Sequence, residues 1–269
     1  MSRISKTFTT LAQKGAGAYI PYVCAGDSGN GFTVDLVKQL SASGADVVEL
    51  GVPFSDPIAD GPTIQGAMKR SLDAGFRVAD VFGTLSELRA SGVEQPIVVM
   101  TYLNPVEKMG VSEFCERLAS SGGDGLLVVD LPLEESGVLD MAAERNGLDV
   151  IRLVAPSTSD DRLRKIVSKA TGFVYAVSVA GVTGEREGLP ETALPLIRRA
   201  TSSTSLPVAL GFGVSKPEHA RTAFEAGAAG VVEGSALISI YQSRCEDRSD
   251  AMTSVAQHAA LMKAALTRR

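Results

Sequence analysis

Apolar residues fall along this chain in short, nearly continuous runs, separated by longer stretches of helical period. Runs over residues 18–23, 46–50, 96–101, 125–130, 150–154, 172–178, 207–212 and 230–233 each read as a strand. Alternation within them is weak, as expected for strands covered by helices on the outer face of a parallel sheet. The intervening segments carry one apolar face. Phe32, Leu36, Val37 and Leu40 form one stripe, Val81, Phe82, Leu85 and Leu88 another, and Leu163, Ile166 and Val167 a third. Asp35, Lys38 and Gln39 lie opposite the first, and Asp161, Arg162, Lys165 and Lys169 opposite the third. Ser159-Asp160-Asp161 marks a helix start, and Gly44, Gly75, Gly147 and Gly227 follow helix ends.

Eight strand–helix units in a chain close to the ~250 residues usual for the fold predict an α/β chain of the (β/α)8 TIM-barrel type. An internal echo supports this. Gly44-Ala45-Asp46-Val47-Val48-Glu49 is similar to Gly227-Ala228-Ala229-Gly230-Val231-Val232-Glu233, each a helix-ending glycine feeding a buried strand. An open doubly wound sheet is the alternative. Even spacing without a linker or a shift in composition favours one closed barrel domain over residues 1–269. A last helix over residues 251–269 is expected to pack Met252, Val255, Ala259 and Met262 on the barrel, with Lys263, Arg268 and Arg269 at its negative end.

Composition narrows the function classes. Of 269 residues, 45% are hydrophobic and 21% charged, the balance of a folded globular chain. The net charge of -5 leaves no cationic surface for a polyanion, so nucleic-acid binding is not expected. Cys24, Cys115 and Cys245 are widely spaced, and with His219 and His258 they give no metal-ligand pattern. Reduced structural thiols and a cytoplasmic location are expected. Arg3, Lys6 and Lys14 precede a largely apolar run over residues 15–26 that superficially has the layout of a secretory signal. Pro21 interrupts this run, which continues into a strand pattern, so a buried strand is expected there. No apolar run reaches the ~18 residues of a membrane span.

In a barrel, the loops after the strand C-termini carry function. The segment after the second strand, Glu49-Leu50-Gly51-Val52-Pro53-Phe54-Ser55-Asp56-Pro57-Ile58-Ala59-Asp60-Gly61-Pro62, is far longer than the usual loop of about two to six residues. Its prolines and glycines restrict it while presenting Glu49, Asp56 and Asp60. Any one of these carboxylates alone would read as a solvated charge, and Asp60 as the cap of a helix over residues 63–72. Gly211-Phe212-Gly213 and Gly234-Ser235 follow the last two strands, where barrels bind phosphate, and a short extra helix over residues 235–240 would offer its N-terminus. These loops suit a sugar-phosphate isomerase or epimerase as well, although the thin histidine supply does not favour one.

The segment from Glu49 to Pro62 strongly resembles the signature of the tryptophan synthase alpha chain family. The likeness continues through Tyr175, Ala180-Gly181-Val182-Thr183-Gly184, Gly211-Phe212-Gly213 and Gly234-Ser235, covering nearly the whole chain. It implies a (β/α)8 barrel and a lyase that cleaves indole-3-glycerol phosphate to indole and glyceraldehyde 3-phosphate. It implies no metal or organic cofactor in this chain. The implied partner is a beta chain carrying pyridoxal phosphate, in an alpha2-beta2 heterotetramer docked at Pro53 to Asp56 and Asn104-Pro105.

By the same resemblance Glu49 is the acid–base residue, and Asp60 is the second catalytic carboxylate, accepting the indole N–H. Tyr22, Met100, Leu127, Val129, Leu153, Tyr175, Thr183 and Phe212 match substrate-binding positions, though several read equally well as barrel core. Gly184, Gly213, Gly234 and Ser235 match the phosphate cradle, and Glu185-Arg186-Glu187-Gly188 a closing lid. Two positions depart from the pattern: Val179 stands where Arg is familiar, and Tyr22 where Phe is familiar. A non-catalytic subunit that kept only the partner surface is disfavoured by the presence of both carboxylates.

Overall fold

Each apolar run becomes a strand of one parallel sheet. A computed structural model describes residues 1–178 and 188–267. Its strands are β1 (Ala18–Cys24), β2 (Val48–Gly51), β3 (Ile97–Thr101), β4 (Gly125–Val128), β5 (Asp149–Val150), β6 (Arg152–Val154), β7 (Val174–Val177), β8 (Val208–Gly211) and β9 (Gly230–Glu233). Every pairing between them is parallel, in the order β5-β4-β3-β2-β1-β9-β8-β7-β6. β5 and β6 are separated by Ile151 alone, whose N–H still bonds to Leu126 O at 2.9 Å. The expected single strand over residues 150–154 is therefore two pieces, one pairing with β4 and the other with β7, and the ring of eight closes through it.

Three expected strand ends move for identifiable reasons. Asp46 stays outside the β2 ladder because its carboxylate accepts from Tyr19 N at 2.8 Å and from Lys263 Nζ at 2.8 Å. β4 ends at Val128, and Asp130 instead accepts from Leu103 N at the start of the helix Leu103–Met109. β8 ends at Gly211 because Phe212 turns to φ +68°, outside strand geometry.

Helices cover the outside of the ring. The buried residues of Asn30–Ala42, Asp80–Ala90 and Asp160–Val167 include every member of the three expected stripes. Ser159 caps the last of these by accepting from Arg162 N. Gly44, Gly75, Gly147 and Gly227 all have positive φ, where a side chain would be strained. The C-terminal helix is Arg248–Ala265; Val255, Ala259 and Met262 are buried against the barrel and Met252 partly so. Lys263, expected only to offset its dipole, also pairs with Asp46 and donates to Gly17 O. Arg268 and Arg269 lie outside the described residues.

The N-terminal ends of the strands are sealed by the helix Arg3–Gln13, which buries Ile4, Phe8 and Leu11. Phe8 packs on Phe173 with ring centroids 5.5 Å apart. Asp124 accepts there from Arg3, from Arg89 Nη2 and from Ile97 N, and Ser2 donates to Asp149. Both of these carboxylates thus have partners. Ile4→Ala is expected to cost about 2–5 kcal/mol of stability, because Ile4 is fully buried and the helix is pinned by polar contacts that oppose collapse. Denaturant melts would measure it, with function at 25 °C unchanged.

Candidate active site

Glu49 and Asp60 meet at the C-terminal mouth of the barrel by different routes. Glu49 lies in β2, level with Tyr22 of β1 and Val98 of β3, and is 3% exposed. Asp60 arrives on the long loop and is fully buried. It is not a helix cap: the helix Pro62–Asp73 begins at Gly61 without a side-chain cap. Instead Tyr102 Oη donates to Asp60 Oδ2 at 2.6 Å and accepts from Ala59 N at 3.0 Å, while Gln65 Nε2 donates to Asp60 O.

The two carboxyl groups have separated proton affinities. Burial, reinforced by the negative charge of Asp60, pushes Glu49 up to about 8. Burial also raises Asp60, opposed by the Tyr102 hydrogen bond, to about 6. Near neutral pH one is an acid and the other an anion, the division of labour that acid–base chemistry requires. Among the described residues Glu49 Oε1 and Asp60 Oδ1 have no hydrogen-bond partner. Glu233, equally buried, differs: Tyr19 Oη and the His258 ring each bond one of its oxygens at 2.7 Å. Unpaired buried oxygens cost stability, so the presence of two at the mouth marks a place for a ligand.

The cavity onto which both open is lined by Tyr22, Ile64, Met100, Tyr175, Phe212 and Val232, with Gly213 to Ser215 and Gly234 to Ala236. Of the expected pocket wall, Tyr22, Met100, Tyr175 and Phe212 are there. Leu127, Val129 and Leu153 are not in the lining: Leu127 is buried in the core, and Val129 and Leu153 pack partly buried against it. Thr183, Gly184, Val179 and residues 185–187 of the expected lid lie outside the described residues. Sequence reasoning gave no role to Ile64, Val214, Ser215, Val232 and Ala236, although each is within four residues of a motif position. It also passed over Tyr102, whose signal was its place in the loop after β3.

Two glycines make room for the aromatic wall. A Cβ on Gly51 would lie 2.1 Å from Tyr22 Oη, and one on Gly211 would lie 2.2 Å from Tyr175 Cε1. Gly211, read from sequence as a site of close ligand approach, therefore makes space for Tyr175. The Tyr22 hydroxyl has no partner among the described residues, and burial raises its pKa well above the ordinary value.

On the other side of the cavity, Gly213 has φ +79° and Gly234 opens the helix Ser235–Gln242. No side chain caps that helix, so its first N–H groups and dipole are presented to an anion. The helix is held by Asp27, 1% exposed, which accepts from Tyr241 Oη at 2.6 Å and from Arg70 Nε and Nη2 at 2.8 Å. Arg70 lies on the helix that follows Asp60, so one carboxylate ties the two sides of the site together. Among the described residues no cluster of three or more metal-ligating side chains occurs, and no helix is long and apolar enough to cross a membrane.

Residues 8–267 match the family model described as tryptophan synthase alpha chain. The tryptophan synthase alpha chain of Gluconobacter oxydans is 48% identical over 250 residues, spanning 92% of this chain and 91% of the relative. That of Carboxydothermus hydrogenoformans is 44% identical, with 93% of each covered. Among solved structures, tryptophan synthase subunit alpha from Legionella pneumophila superposes with a TM-score of 0.91 at 37% identity, covering 99% of this chain and 98% of that one. A chain of the tryptophan synthase complex from Pyrococcus furiosus gives 0.84 at 40% identity, covering 92% and 98%.

The burial of Glu49 has a thermodynamic signature. A carboxyl raised from 4.5 to about 8 binds its proton more tightly in the folded chain, so its stabilisation is complete below pH 4.5 and is lost as pH climbs to 8. Glu49→Gln is therefore expected to gain on wild type between pH 4.5 and 8 by a few kcal/mol, on the order of 1.4 kcal/mol for each pH unit crossed. Thermal melts at the two pH values measure the gain; a constant difference would contradict it.

Proposed function

The chain belongs to the tryptophan synthase alpha chain family, and from that premise we propose how its own residues carry the reaction. It is a carbon–carbon lyase of tryptophan biosynthesis, cleaving indole-3-glycerol phosphate to indole and glyceraldehyde 3-phosphate by retro-aldol chemistry. The bond to indole C3 breaks only if the ring can take its electrons. Neutral Glu49 delivers a proton to C3, which turns the ring into an electron sink. The glutamate left behind accepts the proton of the adjacent glycerol hydroxyl as the C–C bond opens, so the aldehyde forms, indole regains its aromaticity and Glu49 ends protonated. Asp60 Oδ1 accepts the indole N–H and stabilises the positive ring.

One observation carries this reading: two buried carboxyl groups of separated proton affinity, each with an unpaired oxygen, line the same aromatic-walled cavity. Tyr22, Met100, Tyr175 and Phe212 wall the indole. Gly213, Gly234 and Ser235 receive the phosphate on the helix N-terminus, with Gly184 assigned to the phosphate and Thr183 to substrate binding by the family pattern. Leu127 and Leu153, level with Met100 and Tyr175 in the sheet, and Val129 are assigned to the indole pocket by the family pattern.

The substrate is a small molecule, and the chain is read as one barrel domain over residues 1–269. The structure solved as the tryptophan synthase complex from Pyrococcus furiosus supports a beta-chain partner in an alpha2-beta2 assembly. Pyridoxal phosphate is assigned to that partner, and the alpha reaction is assigned to side chains alone. The proposed docking face contains Pro53 to Asp56 and Asn104-Pro105, beside Ile58, which is 80% exposed. Free thiols at Cys24, Cys115 and Cys245 suit the cytoplasmic location assigned to the protein.

Indole release by the full chain tests the assignment, with and without a beta chain. Glu49→Gln and Asp60→Asn are each expected to lower kcat/KM by at least ~100-fold while remaining folded. In wild type kcat/KM should rise as Asp60 ionises near pH 6 and fall as Glu49 loses its proton near pH 8. Near-wild-type activity in either variant would overturn the reading.

A further inference from the structure

Tyr102 ends the β3 segment and precedes the helix Leu103–Met109; it is 1% exposed. Its ring stacks on Phe54, with centroids 5.1 Å apart and an interplanar angle of 29°. Its hydroxyl is engaged twice in the loop that delivers Asp60, donating to Asp60 Oδ2 at 2.6 Å and accepting from Ala59 N at 3.0 Å. One side chain from the loop after β3 therefore grips two consecutive residues of the loop after β2. We propose that Tyr102 is a positioning residue for Asp60: its hydroxyl holds the carboxylate ionised and turned so that Oδ2 is occupied and Oδ1 faces the reacting ring. The proposal rests on the reading of Asp60 as a catalytic carboxylate.

Two effects compete at Asp60. Burial favours a neutral carboxyl, and a neutral carboxyl that turned its own O–H toward the indole N–H would set donor against donor. A hydrogen bond to the charged form opposes burial and is strongest while the acceptor is ionised. The donor is constant over the working range, because burial and the hydrogen bond to Asp60 push the Tyr102 hydroxyl well above its ordinary value. The bond to Ala59 N fixes the direction in which the hydroxyl donates, and the stack on Phe54 fixes the ring.

The other groups that feel Asp60 do not titrate where it does. Glu49 is neutral until about pH 8, and the buried Tyr22, Tyr175 and Cys24 are all raised above their ordinary values. Asp130 acts on Tyr102. An acidic limb near pH 6 thus reports Asp60.

The experiment is the pH profile of kcat/KM for indole release by the full chain, comparing wild type, Tyr102→Phe and Asp60→Asn, with melting curves to establish folding. Tyr102→Phe keeps the ring and its stack and removes only the hydroxyl. The acidic limb is expected to move up by about one pH unit, so that activity falls roughly fivefold at pH 6 and much less at pH 7.5. A pH-independent loss, with the limb in place, would overturn the proposal while leaving the catalytic reading intact. Activity retained in Asp60→Asn would overturn both. A second replacement covers a Phe variant that fails to fold. 3,5-Difluorotyrosine at position 102 has nearly the same shape and a more acidic hydroxyl, so the limb should move to lower pH. An unmoved limb there also overturns the proposal.

Discussion

Placing two carboxyl groups side by side in the mouth of an apolar barrel is costly, and much of the structure around them follows from that cost. An ion moved from water into a protein interior loses several kcal/mol even after relaxation. Two neighbouring carboxylates add repulsion. The molecule resolves this by keeping Glu49 protonated to about pH 8 and letting Asp60 ionise near 6 with one hydrogen bond from Tyr102. The same resolution supplies an acid and an anion at neutral pH. In the proposed reaction the stability lost is thus the source of the chemistry, an exchange common at functional sites.

The rest of the barrel is arranged so that this cost is carried only at one end. At the N-terminal ends of the strands Asp46, Asp124 and Asp149 all have donors, and the helix Arg3–Gln13 closes the core. Behind the anion-binding side, Glu233 is satisfied by Tyr19 and His258, and Asp27 by Arg70 and Tyr241. Each of these structural carboxylates is therefore paired. At the mouth, Gly51 and Gly211 give up side chains so that Tyr22 and Tyr175 lie over the strand ends. An uncapped helix at Ser235 presents positive potential to an anion without a cationic side chain, in a chain of net charge -5.

The strands were readable in the sequence because strands covered by helices must be almost continuously apolar, and eight such runs at even spacing leave few architectures open. The long, proline-rich loop between Glu49 and Asp60 marks a functional segment, but their pairing follows from the family resemblance, since each carboxylate alone reads as a solvated charge or a cap. Readings that depended on side-chain partners were weaker. Nothing in residues 150–154 announces that Ile151 divides the strand, because that break arises from which neighbour each half meets. Asp46 looked like strand and is a latch to Lys263, a residue far away in the chain. Leu127, Val129 and Leu153 match pocket-wall positions by resemblance, while the cavity draws its lining from β1 to β3, from the loop after β2 and its helix, from β7 and from the segments around the ends of β8 and β9. Tyr102 lies in the loop after β3, but nothing in the sequence announces that its hydroxyl reaches Asp60, more than forty residues earlier.

The chemistry stands or falls on the separation of the two proton affinities, and carboxyl-carbon NMR titration of the labelled, substrate-free protein measures that separation. Resonances assigned through Glu49→Gln and Asp60→Asn should titrate near pH 8 for Glu49 and near pH 6 for Asp60. Both groups titrating together in the ordinary carboxylate range near ~4 would contradict it, since no neutral acid would then be present at the pH where the reaction is expected to run.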